Sequence, residues 1–301
     1  MKISHLFGLV LCTIVIISLA VLWFVPSNQI FMTSNAVWNG ARDFVDKSKV
    51  QDINTYADLP GELQQSALIS IPYIEYSATD LSALQQYIEN GGTLILMDSF
   101  GYGNRLLEYL NIAARFRNTI LLDPLFNFKN EYFPRITDFS ASVKDAGVQV
   151  IGFNHGTILD NVPDSQILAQ SSIMSFVDTN GNGEWDQDEP KGPFAVAGEY
   201  AIGKGTLRLV SDPNIIINVM LNSNDNYKFI QYLVAPSGEP VSIYLDMAHL
   251  PESPLDTSKK DLTMVRGFLS HPYIILGITA GFFVIITLYT YKRGQIVDRN
   301  K

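Results

Sequence analysis

Residues 91–104 read GGTLILMDSFGYGN, and this stretch decides the fold. The apolar run at 93–97 is typical of a strand that is buried on both faces. Before it, apolar residues recur at three- and four-residue spacing over 81–88, which predicts a helix capped by Thr79 and Asp80 and ended by the paired glycines. After it, the glycine-containing turn leads into another helical pattern. Strands that alternate with helices at this spacing indicate a parallel sheet covered on both faces.

The same alternation extends outward on both sides and predicts an α/β fold with a mainly parallel sheet. The segment at 203–205, Gly-Lys-Gly, suits a tight hairpin turn between two strands. An irregular insertion is expected within 115–170. Strands are predicted at 50–56, 67–74, 93–97, 148–153, 166–170, 172–177, 194–202, 206–211 and 241–246, and helices at 35–44, 80–90, 106–110 and 225–233.

Both ends of the chain carry a long apolar run without a charged residue, Leu6 to Val25 and Tyr273 to Tyr291. Each run is long enough to cross a hydrocarbon core of about 30 Å as a helix. The first run could instead be a cleaved signal peptide, but the apolar part of such a peptide is typically about 7–15 residues, and no small-residue cleavage site follows Val25. We therefore expect an uncleaved anchor at 1–27 and a second transmembrane helix at 272–291.

The charges predict how these spans are oriented. The formal net charge is −9, yet Lys2 precedes the first span, and Lys292 and Arg293 follow the second. Lysine and arginine beside a span favour the cytoplasmic side, so both termini should be cytoplasmic and the acidic domain at 28–250 extracellular. The chain then continues through a polar tether at 251–271 and, after the second span, ends in a basic cytoplasmic tail at 292–301.

Composition excludes several functional classes. An acidic chain lacks the basic surface that nucleic-acid binding requires. Cys12 is the single cysteine and lies within the first apolar run, so disulfide frameworks and cysteine zinc clusters are excluded.

The second apolar run contains a GxxxG spacing formed by Gly277 and Gly281. Both glycines would lie on one helix face and let another helix pack closely. The first span of the same chain is the nearest candidate for that partner, although glycine is also common in membrane helices that do not pair.

The most specific motif is an oxygen-rich loop at 178–189 that reads DTNGNGEWDQDE. It fits the calcium-loop pattern D-x-[DN]-x-[DN]-G-x5-E at every defined position. A Ca²⁺ ion takes about six to eight oxygen ligands, and this spacing lets alternate side chains converge on one ion while Gly183 permits the sharp turn. The predicted ligands are Asp178, Asn180, Asn182, the backbone carbonyl of Glu184, Asp186 through water, and Glu189.

The segments around this loop differ from a helix–loop–helix. A strand is predicted at 172–177, and Pro190 prevents a helix from starting normally after the loop. The alternative interpretation is an ordinary polar turn, since Asp, Asn and Gly favour turns without a metal. We expect a calcium site of low affinity, on the order of 10⁻⁴–10⁻³ M as in extracellular modules, that rigidifies an insertion.

Several short motifs, in this order, resemble the DUF4350 family. They are GGTL at 91–94, GYGN at 101–104, GPF at 192–194, and GKG at 203–205 running into SDP at 211–213. The resemblance covers roughly 33–250 and implies a membrane-anchored, flavodoxin-like three-layer sandwich similar to class I glutamine amidotransferases. Family members tend to be encoded beside MoxR-type ATPases and von Willebrand A-domain proteins. The layout of helix, outer domain and helix is also similar to auxiliary subunits of gliding-type ABC transporters.

The resemblance also bears on catalysis. The amidotransferase-like fold places a nucleophilic cysteine on the turn after a central strand, where this chain has Ser99, and the outer domain contains no cysteine. Amidotransferase chemistry is therefore excluded. Serine catalysis would need His155, His249 or His271 as a base, and the segment around Ser99 lacks the first glycine of a G-x-S-x-G elbow.

The turn after the central strand is a candidate ligand site, because open α/β sheets bind ligands beyond the carboxyl ends of their strands. Backbone amides near Ser99, Gly101, Gly103 and Asn104 could hold an anion, or the glycines could simply supply positive φ.

Taken as a whole, the sequence predicts a non-catalytic, membrane-anchored extracytoplasmic domain with a structural calcium site. Its expected role is to bind a partner protein or a surface glycan within a membrane or cell-envelope complex. Two alternatives stay open: a degenerate hydrolase that uses Ser99 with a histidine base, and an auxiliary subunit of an ABC-type transporter.

Overall fold

The computed structural model describes residues 3–25, 27–59, 65–251 and 254–274, together with 276–277, 279–281, 283–284 and 287. The chain forms two compact units, one of residues 1–25 and 252–301 and one of residues 26–251. The helices are α1 (Ile3–Phe24), α2 (Arg42–Ser48), α3 (Ala78–Glu89), α4 (Asn104–Tyr109), α5 (Ala141–Asp145), α6 (Asn218–Leu221), α7 (Asn226–Val234) and α8 (Pro254–Leu269). The strands are β1 (Gln51–Ile53), β2 (Ser66–Ser70), β3 (Thr93–Met97), β4 (Arg115–Phe116), β5 (Ile120–Leu122), β6 (Arg135–Ile136), β7 (Asp138–Phe139), β8 (Ile151–Gly152), β9 (Leu159–Asp160), β10 (Ile167–Gln170), β11 (Phe176–Asp178), β12 (Ala195–Ile202), β13 (Gly205–Val210) and β14 (Ser242–Asp246).

The first apolar segment forms a single helix, as predicted. Within α1, His5–Phe24 is long and apolar enough to cross a membrane, and a signal sequence would have the same properties. The described residues of the second predicted span, Tyr273 to Tyr291, are helical, and its crossing of a membrane stays a prediction. Ile278 of its GxxxG segment and the whole basic tail lie outside the described residues. A side chain added at Gly277 or Gly281 would meet no described atom within 4 Å, so helix pairing there stays a prediction.

Within the predicted tether at 251–271, Pro254–Leu269 forms α8. Pro254 stands at the first position of this helix. A proline is tolerated there because the missing N–H has no partner within the helix in any case.

The unit of residues 26–251 is built on a ten-stranded sheet. Strands β1, β14, β2, β3 and β13 lie side by side in that order, and all are parallel. Strands β12, β10 and β7 then follow as antiparallel neighbours. The sheet is therefore mixed, and the prediction of a mainly parallel sheet is wrong. The predicted turn at Gly203 and Lys204 is present, and so short a connection can join only antiparallel strands.

Apolar side chains cover both faces of this sheet. On β3, Leu96 belongs to the same core cluster as Leu84 of α3. Its neighbour Met97 belongs to a second cluster that contains Phe44 of α2 and Phe229 of α7. Because successive strand side chains point to opposite faces, β3 is buried between two helical layers, as its apolar sequence predicted.

Helix α3 is predicted correctly except for its cap. The N-cap is Ser77, whose hydroxyl accepts a hydrogen bond from the backbone N–H of Asp80 at 3.2 Å. The carboxylate of Asp80 accepts one from the backbone N–H of Ser77 at 2.9 Å, which completes a capping box. Thr79, predicted as part of the cap, lies inside the helix.

The predicted helix at 35–44 is wrong. The Asn35 side chain donates to the carbonyl of Gln29 at 2.8 Å and accepts from the backbone N–H of Val37 at 2.9 Å. Such local bonds compete with helical hydrogen bonding. This segment is therefore a loop, and α2 begins only at Arg42.

Candidate functional site

The carboxyl ends of β3 and β13 lie side by side, and each is followed by a buried aspartate. Asp98 follows β3 directly and is 1% exposed, while Asp212 lies shortly after β13 and is 0% exposed. In open α/β sheets this edge is where ligands bind. The two carboxylates position the loops that form the site.

Asp98 binds the glycine-containing turn that the sequence suggested as a ligand site. Its Oδ1 accepts hydrogen bonds from the N–H groups of Phe100 at 2.7 Å and Gly101 at 3.1 Å, and its Oδ2 accepts one from Gly103 at 2.6 Å. Burial raises the pKa of Asp98, and these backbone hydrogen bonds act in the opposite direction. The amides are engaged within the protein, so they are not free to hold an anion as the sequence suggested.

Asn104 also has a structural role. Its Nδ2 donates to the carbonyl of Phe116 at 2.9 Å, and its Oδ1 accepts from the N–H of Phe116 at 2.8 Å. This pair ties α4 to β4. Of the four residues predicted at this turn, Ser99 is the one that lines the cavity described below.

Asp212 fixes the loop between β8 and β9, which forms the opposite wall of the site. Its Oδ2 accepts from the N–H of Asn154 at 2.5 Å, and its Oδ1 accepts from the N–H of Asn214 at 2.9 Å. In the same loop, the carbonyl of Thr157 accepts a hydrogen bond from Oγ of Ser211 at 2.7 Å. Burial raises the pKa of Asp212 to about 7, despite the lowering effect of the hydrogen bonds.

These contacts hold His155 with a left-handed backbone, at a φ of 58°. A non-glycine residue in this region is uncommon, and such residues cluster at functional sites. The His155 ring stacks on Tyr132 with 5.3 Å between ring centroids and meets Phe133 edge-on at 5.4 Å. Its Nδ1 lies 2.7 Å from Oδ1 of Asn154, so Nδ1 carries the hydrogen and Nε2 remains an acceptor. Burial lowers the pKa of His155, which favours this neutral form.

Two cavities meet around His155, with volumes of 390 Å³ and 610 Å³. Ile30, His155 and Asn214 line both, and we refer to the two together as the carboxyl-edge cleft. The smaller cavity is also lined by Tyr73, Ser99, Phe100, Asn118, Thr119, Ile120, Gly156 and Thr157. The larger one is also lined by Trp38, Phe128, Lys129, Phe133, Asn154, Val219 and Met220.

The cleft brings together Ser99 and His155, which the sequence considered as a nucleophile and a base. Across the described residues, no hydrogen bond joins Ser99 to a histidine. The N–H of Phe100, the residue after Ser99, is bound by Asp98. In a nucleophile elbow that N–H would point at the oxyanion.

The predicted calcium loop is closed at both ends by carboxylates. Asp178 accepts from the N–H of Gly181 at 2.6 Å and from the N–H of Gly183 at 2.9 Å. At the other end, Oε1 of Glu189 accepts from the N–H of Thr179 at 2.6 Å. The first and last predicted ligands thus fold the segment back on itself, with the loop glycines at positive φ.

The middle of the loop is held by Asp186. Its Oδ2 accepts from the side-chain amides of Asn180 at 2.6 Å and Asn182 at 2.9 Å. The N–H of Glu184 in turn donates to Oδ1 of Asn182 at 2.7 Å. The described part of the chain contains no group of three or more His, Cys, Asp or Glu side chains arranged to hold a metal. A cation in this loop would therefore depend on the two asparagine oxygens as well.

A second group of polar side chains, which we name the Asp246 cluster, lies at the carboxyl ends of β2 and β14. Oδ2 of Asp246 accepts from Oγ of Ser70 and from the hydroxyl of Tyr56, each at 2.7 Å. The same oxygen lies 2.8 Å from Nδ1 of His249, and Nε2 of His249 lies 3.5 Å from Oδ2 of Asp80. Burial lowers the pKa of His249, but the hydrogen bond and charge of Asp246 and the charge of Asp80 outweigh it, so the pKa lies above 6.5.

The sequence indicated only part of this cluster. His249 was a candidate base for Ser99, and the structure shows it hydrogen-bonded to Asp246 within the core. Tyr56 and Ser70 were missed, because they are distant in sequence and carry no motif. Their one signal was position, since Tyr56 ends the strand predicted at 50–56 and Ser70 lies within the strand predicted at 67–74.

Three solved structures show distant similarity to this chain. The mmIFT52 N-terminal domain aligns with a TM-score of 0.49 and 14% identity, over 70% of this chain and 94% of that one. The β-galactosidase from Bacillus circulans sp. alkalophilus aligns with a TM-score of 0.35 and 10% identity, over 59% of this chain and 23% of that one. A catalytic mutant of Gan42B, a GH42 β-galactosidase from G. stearothermophilus, aligns with a TM-score of 0.31 and 13% identity, over 56% of this chain and 21% of that one. These scores carry no functional inference.

No protein of curated function matches the sequence. Residues 33–234, by contrast, match a family described as "Domain of unknown function (DUF4350)". The match extends from the loop before α2 to the end of α7 and so includes both loops that form the carboxyl-edge cleft. It covers more than half of the chain and confirms the resemblance carried by the short glycine motifs: the chain belongs to the DUF4350 family.

Proposed function

We propose that this chain is a non-catalytic binding protein, anchored at a membrane by α1, that takes its ligand in the carboxyl-edge cleft. One observation carries the proposal: Asp98 engages the amides of Phe100, Gly101 and Gly103. In an acyl-transfer enzyme, such amides would be directed at the developing oxyanion. The cleft beside them is open and lined by aromatic rings, hydroxyl groups and amides, which suits binding.

The calcium loop has a structural role in this proposal. Its carboxylates already fold the segment back on itself. The predicted ligands Asn180, Asn182 and Asp186 are hydrogen-bonded to one another, and a bound Ca²⁺ would replace these hydrogen bonds with bonds from each ligand to the ion. Two asparagines among the ligands reduce the negative charge, which fits a low-affinity site filled outside the cell. The loop follows β11 directly, so an ordered loop would also order the small sheet that β11 forms with β5.

The proposed location follows from charge and hydrophobicity. The α1 segment suits an uncleaved anchor, and the basic residues beside the apolar runs favour cytoplasmic termini with the acidic domain outside. An anchored domain with an open cleft suits a membrane or envelope complex with a partner protein. An auxiliary role beside an ABC-type transporter is one form of this proposal.

The location is tested by adding protease to intact cells from which any outer barrier has been removed. We expect the domain of residues 26–251 to be digested without lysis. Protection until lysis would contradict the proposed topology. A control protease-sensitive cytoplasmic protein must stay intact in the same sample.

The binding role is tested with two variants of the full chain. Ser99→Trp fills the cleft, whereas Ser237→Trp places the same side chain on an exposed turn. Chemical cross-linking in detergent should recover partners with the wild type and Ser237→Trp but not with Ser99→Trp, all three having the same thermal stability. Hydrolysis of activated esters by the wild type that disappears in Ser99→Ala would instead establish the hydrolase alternative.

A further inference from the structure

The carboxyl-edge cleft offers flat apolar surfaces to a ligand. Phe100, at the smaller cavity, is 47% exposed, and Trp38, at the larger one, is 65% exposed. Rings of this size are usually covered in a folded protein, because each offers a large apolar area. Their exposure beside two adjacent cavities indicates surfaces that a ligand covers.

Polar groups without a protein partner among the described residues line the smaller cavity. Within the described part of the chain, no hydrogen bond is made by the hydroxyl of Tyr73, Oγ of Ser99 or the side-chain amide of Asn118. Nε2 of His155 is a fourth free group, since Nδ1 is the nitrogen bound to Asn154. Together these groups offer donors and acceptors in different directions, which matches a ligand with several hydroxyl groups.

The charges around the smaller cavity disfavour strongly charged ligands. None of the lining residues is acidic, although the chain has 30 acidic residues, so a cation would find no carboxylate to pair with. An anion is disfavoured in the smaller cavity, because two carboxylates lie behind it. Burial, together with the charges of Asp98 and Asp212, raises the pKa of the Tyr73 hydroxyl to about 12. In the smaller cavity a neutral ligand remains, while Lys129 lines the larger one.

From these observations we propose that the carboxyl-edge cleft binds a neutral oligosaccharide. One sugar ring packs its C–H face on Phe100 while its hydroxyl groups bond to Tyr73, Asn118 and Nε2 of His155. A second sugar unit extends past His155 toward Trp38. Cavities of 390 Å³ and 610 Å³ are within the range of about 300–1,000 Å³ that is common for small-molecule sites. The inference deepens the proposed binding function and rests on it.

The test uses purified full-length protein in a detergent without a sugar headgroup. Defined neutral oligosaccharides, and matched sets that carry uronic acids or free amino groups, are screened for binding, and hits are titrated by calorimetry. We expect binding of a neutral member. Removing one hydrogen-bonding group with Asn118→Ala or Tyr73→Phe should weaken binding about tenfold or less, and Trp38→Ala should weaken it by about tenfold or more.

A matched control separates the cleft from the rest of the surface. Tyr109→Phe removes an exposed hydroxyl group that does not line the cleft, and it should leave the affinity unchanged. Thermal melting must show that every variant is folded.

Three results would overturn the inference: no neutral oligosaccharide binds at millimolar concentration, only charged ones bind, or binding survives all three cleft substitutions. If cross-linking to partners still depends on an unfilled cleft in that case, the binding function stands and only the saccharide assignment fails. If both fail together, the proposed function fails as well.

Discussion

Nδ1 of His249 lies 2.8 Å from Oδ2 of Asp246, with the two side chains only 5% and 1% exposed. The pair joins the end of the last strand of the sheet to the segment that leaves the domain. Asp80, in the first turn of α3, lies on the other side of the imidazole. The ring is therefore placed between two carboxylates in a buried setting.

The pH dependence of stability should reveal this arrangement. Because the folded pKa of His249 is raised above 6.5, its protonated form stabilises the fold below about pH 6.5, and this contribution is lost as the pH rises through the folded value. The difference in unfolding free energy between the wild type and His249→Asn should therefore be larger at about pH 5.5 than at about pH 8.5. Chemical denaturation at the two pH values measures it.

His155→Asn is the matched control for this experiment. Burial lowers the pKa of His155, so the wild type should lose stability relative to this variant as the pH falls below about 6.5. The two variants should thus show pH dependences of opposite sign. Equal slopes would mean that the surroundings of His249 are not those described.

Tyr56→Phe should destabilise the domain. It removes the hydroxyl that donates to Asp246 at 2.7 Å, and a hydrogen bond to a charged group contributes about 1.5–3 kcal/mol. Tyr109→Phe removes the same atom from an exposed ring and should change stability by less than about 0.5 kcal/mol. Urea denaturation of both variants tests the difference, and similar losses would contradict a specific role for Tyr56.

Asp98→Ala should lower the unfolding free energy by about 3 kcal/mol or more, because it leaves the N–H groups of Phe100, Gly101 and Gly103 without their acceptor. Ser99→Ala, one residue along, removes an unpartnered hydroxyl and should leave the unfolding free energy within about 0.5 kcal/mol of the wild type. If Asp98→Ala were equally mild, the amides of the turn would be free for a ligand after all.

Calcium should stabilise the domain through the loop of residues 178–189. With a dissociation constant of about 1 mM, about 10 mM Ca²⁺ contributes about 1.4 kcal/mol. Thermal melting should show this gain in the wild type but not in Glu189→Gln. Asp188→Asn is the control, because it removes a loop charge outside the predicted ligand set and should keep the gain. Trp185 supplies a local signal, since Nζ of Lys191 lies 3.4 Å from its ring centroid. A gain that persists in Glu189→Gln would place the ion elsewhere.

Elements with a strong internal pattern could be predicted from the sequence. The apolar run of β3 and the spacing in α3 are local properties, and both elements lie where expected. In the antiparallel part of the sheet, β10 and β12 were predicted as strands, whereas β4, β7 and β9 were missed because strands of two residues carry no pattern. The segment predicted as a strand at 172–177 is a strand only at Phe176–Asp178, since Ser175 and its neighbours form a turn closed by side-chain hydrogen bonds.

The site was predictable in position but not in composition. Ser99 follows β3 and lines the cleft, as strand order suggested. His155 and Asn118 come from irregular segments whose placement depends on Asp212 and on distant pairings, which no local pattern encodes. The role of Asp98 as a hydrogen-bond acceptor was likewise not predictable, because it depends on how the turn folds back onto the Asp98 carboxylate.

The strand order β1-β14-β2 has a consequence for biosynthesis. The last strand of the sheet is inserted between its first two, so the gap between them stays open until residues 242–246 have left the ribosome. Strand β2 therefore lacks one of its two neighbours through most of the synthesis of the chain. The sheet is completed late, when β14 enters between β1 and β2.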